Sequence, residues 1–171
     1  MTLISEAYRA QIAQLHETTN WGKVGAKFAE AAVELIEREG LKTFLDYGCG
    51  KGLFAKAMQE RGYTVTNYDP AIEAFSNAPD PHELVTCFDV LEHIEPDCLD
   101  AVLADLASKT QKLGMFTIAT RPAVKHLPDG RNAHLIIENM AWWVGRLAKH
   151  FRLVAEPAGD ERQFVVFVRP R

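Results

Sequence analysis

Lys42-Thr-Phe-Leu-Asp-Tyr-Gly-Cys-Gly-Lys-Gly52 sets a short run of β-forming residues against three alternate glycines. Thr43, Phe44, Leu45 and Tyr47 suit a strand buried on both faces, because branched and aromatic side chains pack well on a pleated surface. Gly48, Gly50 and Gly52 interrupt it, and Leu53, Phe54, Ala57, Met58 and Arg61 resume at helical spacing. Strand, glycine turn and helix make the first unit of a doubly wound fold of nucleotide-binding type. Glycine is needed in the turn because a Cβ there would keep a ligand off the main chain. Asp46 closes the strand inside the resulting site.

The 171 residues carry a formal net charge of −4. That length predicts a single domain over residues 1–171 with a substantial core. The acidic balance provides no long-range field to steer a nucleic acid inward. Cys49, Cys87 and Cys98 show no Cys-x-x-Cys spacing, so neither a disulfide frame nor a metal site is expected from them. The start of the sequence has no apolar signal core, and no apolar run reaches bilayer length. The expectation is a soluble, cytoplasmic chain without a membrane partner.

Before the strand, Ile4, Tyr8, Ile12 and Leu15 form one amphipathic stripe, with Leu3 and Ala7 beside it. A break at residues 17–22 is followed by Val24, Phe28, Ala31, Ala32, Leu35 and Ile36, and Gly40 caps this second helix. Two readings stand side by side. Either the helices cover one sheet edge, or Trp21, a large aromatic in a turn, closes over the site as a lid.

After the first crossover helix, residues 64–68 read as a second strand ending in Asp69-Pro70. A carboxylate at that tip can accept from both hydroxyls of a ribose; the plainer reading is a turn aspartate before proline. Its place one helix after the glycine loop favours the first. Residues 70–83 hold three prolines and are too short for a helix, strand and helix, so the third strand is expected to be trimmed or missing. Residues 84–88 form the next strand and lead into Asp89-Val90-Leu91-Glu92-His93-Ile94. Pro96 opens a helix whose stripe is Leu99, Val102, Leu103 and Leu106, extended to Leu113 and capped by Gly114, before a strand at 115–119.

Residues 120–135 form a long loop at the carboxyl end of that strand, the edge where such folds bind ligands. The loop carries Arg121, Lys125, His126, Asp129, Arg131, Asn132 and His134. Ile136, Met140, Trp143, Val144, Leu147 and Phe151 then share one helix face. Trp142 falls outside it, as a candidate substrate wall or subunit contact. Arg146, Lys149, His150 and Arg152 suit the C-terminus of that helix. Residues 152–156 and 163–168 flank Pro157-Ala-Gly-Asp160 and read as an antiparallel hairpin.

The glycine spacing argues against two kinds of ligand. A dinucleotide fingerprint would need its third glycine where Leu53 stands, and a phosphate loop would need Ser or Thr after Lys51, where Gly52 stands. Leu45-Asp-Tyr-Gly-Cys-Gly-Lys-Gly52 instead resembles the first motif of the class I S-adenosylmethionine-dependent methyltransferases. Asp69 corresponds to their ribose-binding acid, and Phe88-Asp-Val-Leu-Glu-His-Ile94 to the segment after their fourth strand. The closing hairpin is similar to their usual ending, so the resemblance spans most of the chain from Lys42 onward. Residues 129–135, with the Trp142-Trp143 helix behind them, also resemble a group of short bacterial and phage methyltransferases.

This resemblance implies an α/β, doubly wound (Rossmann-like), mostly parallel sheet with a trimmed third strand and a C-terminal antiparallel hairpin. Residues 1–40 become a helical cover and residues 41–171 the cofactor-binding core. The implied cofactor is S-adenosylmethionine, held by Asp46, Gly48, Cys49, Gly50, Gly52 and Asp69, and by Trp21 on the lid reading. The family's adenine-contacting acid has no room in residues 70–83. Adenine contacts therefore fall to Pro70, Ala71, Ile72 and the edge formed by Phe88, Asp89 and Val90.

The implied chemistry is in-line attack of an acceptor lone pair on an activated methyl group, where alignment supplies about 7–11 kcal/mol in favourable cases. A hydroxyl or ring-nitrogen acceptor can also need a base. His93 and His134 are the candidates, since imidazole titrates near working pH; the plainer role for His93 is to close the strand-to-helix turn. The motifs of amino-group and carbon-5 DNA methylation are absent, because Cys87-Phe-Asp-Val90 replaces the first and no proline precedes a cysteine. A small molecule or a sugar-like hydroxyl is thus favoured over DNA, with structured RNA and protein side chains left open. Two other readings remain: a cofactor-binding partner subunit without its own acceptor site, and a nicotinamide oxidoreductase, which Leu53 disfavours.

Overall fold

The computed structural model describes residues 2–18 and 25–171, so Trp21, the candidate lid, lies outside the described residues. The first helix is α1 (Glu6–Thr18), and a 3-10 turn (Gly25–Phe28) leads into α2 (Ala29–Glu39). The core then runs β1 (Phe44–Tyr47), α3 (Leu53–Gln59), β2 (Thr66–Tyr68), β3 (His82–Phe88), α4 (Leu99–Lys109) and β4 (Thr110–Ala119). It closes with α5 (Met140–Leu147), β5 (Phe151–Leu153), β6 (Ala158–Gly159) and β7 (Gln163–Pro170). No helix among the described residues is long and apolar enough to cross a membrane.

One seven-stranded sheet has the order β2-β1-β3-β4-β7-β5, with β6 paired to β7. Strands β2, β1, β3 and β4 are parallel, and β7 runs antiparallel to β4. The chain leaves β1 for β2 on one side and returns to β3 on the other, so a crevice forms where the connections diverge. Between β2 and β3 lies only a short 3-10 turn (Glu73–Phe75), and the strand trimmed from the expected sheet is indeed missing there.

Strand alternation sorts the core into two layers. Leu45, Val85, Cys87, Phe116 and Ile118 face α4 and α5, while Phe44, Leu84, Phe88 and Met115 face α2 and α3. Burial on both faces explains why these strands are nearly continuous apolar runs.

Three local expectations are corrected. α4 ends at Lys109, so Leu113 belongs to β4, and Gly114 is not a helix cap but a mid-strand residue. A Cβ at Gly114 would approach Phe116 and Val168 side-chain atoms to 2.6 and 2.7 Å, so glycine is there for close packing. α5 begins at Met140, capped by the Asn139 side chain accepting from the Trp142 N–H, which leaves Ile136 in the loop before it. Trp142 is half-buried against the core, edge-on to Trp143 and under the Arg146 guanidinium at 4.8 Å. It does not line the main cavity.

Trp143 is fully buried, so Trp143→Ala is expected to cost about 3–5 kcal/mol in urea unfolding. Trp142→Ala should cost about 1–2 kcal/mol, because its ring is only partly buried. Gly114→Ala should cost about 1–3 kcal/mol by overpacking.

Candidate active site

A cavity of 390 Å³ opens at the carboxyl edge of the parallel strands. Its lower half is built on the turn between β1 and α3. Gly48, Gly50 and Gly52 have φ of +76°, +53° and +67°, the left-handed region that costs any other residue energy. The Gly48 and Cys49 N–H groups both donate to the Tyr68 carbonyl, at 2.7 and 3.0 Å, which ties the loop to the end of β2. A Cβ on Gly48 would lie 2.5 Å from a Val90 methyl, so the loop and the segment after β3 need each other's shape.

Asp69, at the tip of β2, accepts from the Gly50 N–H and the Ala71 N–H, one on each oxygen at 3.0 Å. Asp46 accepts from the Thr86 hydroxyl at 3.0 Å, and burial pushes its carboxyl up to about 7. Burial also raises the Cys49 thiol, helped by the charges of Asp46 and Asp69. Asp46, Gly48, Cys49, Gly50, Asp69, Pro70, Phe88, Asp89 and Val90 all line the cavity. Gly52 does not; it sits at the N-terminus of α3 beside the Asn67 amide.

The segment from Asp89 to Ile94 crosses the edge of the sheet and carries the upper half. Asp89 has φ of +54°, and among the described residues it is the sole non-glycine with positive φ. Such a conformation costs on the order of 1–3 kcal/mol and persists only where neighbours impose it. Here the Asp89 N–H donates to Thr117, whose hydroxyl donates back to the Asp89 carboxylate at 2.7 Å. Gln163, at the start of β7, also donates to that carboxylate. Glu92 is wholly buried; its Oε1 accepts from the Ala119 N–H at 2.9 Å, and its Oε2 has no partner among the described residues. Burial, reinforced by the Asp89 charge, pushes the Glu92 carboxyl up to about 8.

His93 and His134 face each other with ring centroids 4.7 Å apart and planes 75° from parallel. His93 Nδ1 lies 2.6 Å from the Ala133 carbonyl, and His134 Nδ1 lies 2.5 Å from the Arg121 carbonyl. A carbonyl only accepts, so each Nδ1 carries a proton, and the neutral ring's lone pair is assigned to Nε2. Burial pushes the His93 imidazolium down to about 3, helped by His134, and burial likewise lowers His134. Both rings line the cavity.

The far wall is α1. Tyr8, Ile12 and His16 line the cavity together with Ile4 just before the helix, so this helix roofs the site and does not simply cover a sheet edge. Ser5 donates through its N–H and its hydroxyl to the Glu95 carboxylate, both at 2.7 Å, and the Tyr8 hydroxyl donates to the His93 carbonyl at 2.6 Å. From the long loop, Arg121, Lys125 and His134 reach the cavity. Arg131 is paired with Asp129 at 2.7 Å, and the Asn132 side chain bridges the Ala123 backbone. Neither Arg131 nor Asn132 is therefore presented as a donor to an acceptor. Sequence reasoning missed His16 and Gln163 as cavity residues and Glu92 behind the wall. The apolar stripe that buries α1 already contained Ile4, Tyr8 and Ile12.

Residues 15–158 match the family described as methyltransferase domain. A ubiquinone biosynthesis O-methyltransferase of Aeromonas salmonicida is 28% identical over 107 residues, 47% of this chain and 45% of that protein. Another, of Pseudomonas paraeruginosa, is 32% identical over 95 residues, 40% of each. The chain spans less than half the length of these curated relatives. The Burkholderia thailandensis 1,6-didemethyltoxoflavin-N1-methyltransferase, solved with 1,6-didemethyltoxoflavin and S-adenosylhomocysteine, superposes with a TM-score of 0.65 at 17% identity. That superposition covers 95% of this chain and 87% of the other, and at such identity the likeness is one of fold.

The buried Asp46 carboxyl makes stability depend on pH. Its folded value lies above its ordinary one, so between about pH 4 and 7 the unfolded chain is ionised there while the folded chain still holds the proton. Rising pH therefore favours unfolding through this group. Asp46→Asn should gain stability relative to the parent protein by about 1–4 kcal/mol across that window, measured by urea unfolding of ligand-free protein at several pH values.

Proposed function

The chain belongs to the class I S-adenosylmethionine-dependent methyltransferases, and on that premise we propose that it methylates a small molecule or sugar-like acceptor at a hydroxyl. The observation that carries this reading is the division of one cavity into an acidic half at the glycine loop and an imidazole half under α1. Asp46 and Asp69 in the acidic half, with Asp89 at its border, suit a ligand with a sulfonium and an ammonium, and would repel the pyrophosphate of a dinucleotide. The Asp69 carboxylate, steadied by two backbone N–H groups, keeps further lone pairs for a ribose diol. Phe88, Pro70 and Ala71 offer an apolar bed to a flat base.

When bound, the cofactor supplies a methyl group already activated on sulfur, so the protein's contribution is alignment and exclusion of water. The roof of Ile4, Tyr8 and Ile12 shields the cavity and offers an apolar face to the acceptor body. His134 presents an Nε2 lone pair, to which an acceptor hydroxyl can donate and to which its proton can pass, while His93, whose imidazolium burial holds down at about 3, packs against that ring as the weaker base. An oxygen acceptor is also in keeping with the two curated O-methyltransferase relatives. DNA is disfavoured by the net charge of −4.

Asp69→Ala should weaken S-adenosylhomocysteine by about 2–4 kcal/mol in calorimetry, the scale of lost charge-assisted hydrogen bonds. Gly50→Val should abolish binding, since a branched residue cannot hold the loop's left-handed backbone. Unchanged affinity in either variant excludes this placement of the cofactor. With an acceptor found by a screen using methyl-labelled cofactor, His134→Ala should lower turnover by about 10²-fold while cofactor affinity stays within about threefold. Turnover equal to the parent's would remove His134 from the acceptor site.

A further inference from the structure

We propose that Glu92, His93 and His134 form a binding site for one first-row transition-metal dication at the acceptor end of the cavity. One ligand atom from each residue lies within 4.8 Å of the others. A bound ion at about 2.0–2.2 Å from each would draw them closer by roughly 1 Å, within reach of side-chain rotation.

Four independent features support it. Both imidazoles are already set as ligands, because each Nδ1–H is donated to a backbone carbonyl, of Ala133 and of Arg121, which orients Nε2 as metal-binding histidines require. The Glu92 carboxylate is fixed through Oε1 by the Ala119 N–H, while Oε2 is fully buried without a partner among the described residues. An unsatisfied carboxyl oxygen in that position is costly, and an ion that displaces its proton would satisfy it. The donor set has two imidazole nitrogens and one carboxylate oxygen, the composition that suits zinc, cobalt, manganese or iron and not the all-oxygen shells of magnesium or calcium. Finally, the three residues come from two segments held rigidly by the sheet edge, with Ile136 N–H donating to the Glu92 carbonyl and Tyr8 hydroxyl to the His93 carbonyl. Arg121 is the opposing cation acting on Glu92, and Asp89 the carboxylate that offsets it.

While such an ion is bound, the two imidazoles serve as ligands and not as proton acceptors. An acceptor oxygen would then meet the ion, which polarises it. That role rests on the acceptor reading above; ion binding itself does not.

The test is a Co²⁺ titration of chelator-stripped full-length protein, followed by the visible absorption that nitrogen ligation produces, with Zn²⁺ as competitor. The expected result is one saturable equivalent, displaced by Zn²⁺. His134→Ala and Glu92→Gln should each weaken it by about 10-fold or more, since even outer partners of a metal site cost that much. His126→Ala, in the same loop but outside the cluster, should leave it unchanged. Retained S-adenosylhomocysteine binding certifies the fold of each variant, and His134→Ala decides alone where Glu92→Gln does not fold. No saturable Co²⁺ binding by the parent protein, or equal binding by a folded His134→Ala, overturns the proposal. Because no acceptor or turnover is involved, that failure would leave methyl transfer standing, and an acceptor screen that fails with the ion bound would leave the ion site standing.

Discussion

Burying carboxylates at the edge of a sheet is expensive, and the site exists because spare backbone donors end where the carboxylates are. Removing an ion from water costs several kcal/mol unless hydrogen bonds replace the lost solvent. Gly50 and Ala71 N–H groups serve Asp69, the Ala119 N–H serves Glu92, and the Thr86 and Thr117 hydroxyls serve Asp46 and Asp89. The N–H donors become available because the ladders stop: Ala119 is the last residue of β4, and Gly50 and Ala71 lie beyond β1 and β2. The same termination leaves the cavity open.

The closing hairpin takes part in this arrangement. β7 begins with Gln163, whose side chain reaches the Asp89 carboxylate, and it pairs with β4 from Ala119 back to Gly114. The antiparallel strand thus helps hold the strained Asp89 backbone as well as finishing the sheet. Removing the Asp89 constraint would let Val90 swing from the close fit it makes over Gly48.

How much of this could be read from the chain depended on whether the cause was local. The strand runs, the glycine turn and the β2-tip acid were legible, because a buried parallel strand and a left-handed glycine leave marks within a few residues. The missing strand was legible from the prolines and brevity of residues 70–83. The end of α4 was not: Leu113 continues a helical spacing and Gly114 looks like a cap, but pairing with β3 and β7 overrides both. Trp142 looked free because helix-face counting, which does set it beside Arg146, cannot see that its ring also packs against the core next to Trp143. Arg131 and Asn132 belong to the polar loop at the binding edge, yet their partners sit in the same loop at separations no periodicity describes. Gly52 was grouped with the other loop glycines by spacing, whereas its left-handed φ serves the start of α3.

The placement of α1 joins occupancy of the cavity to local folding. The helix meets the rest of the molecule through Tyr8, Ile12 and Leu15, packed on Ala71, Leu127 and Ala133, and through the Ser5–Glu95 and Tyr8–His93 bonds. This is a small patch, separate from the two core layers, so detachment of the helix costs far less than global unfolding. A ligand touching Ile4, Tyr8 and Ile12 binds only the docked form, and mass action then suppresses the detached one. The amide protons of one terminal helix thereby become a slow clock, whose exchange rate reads how full the cavity is.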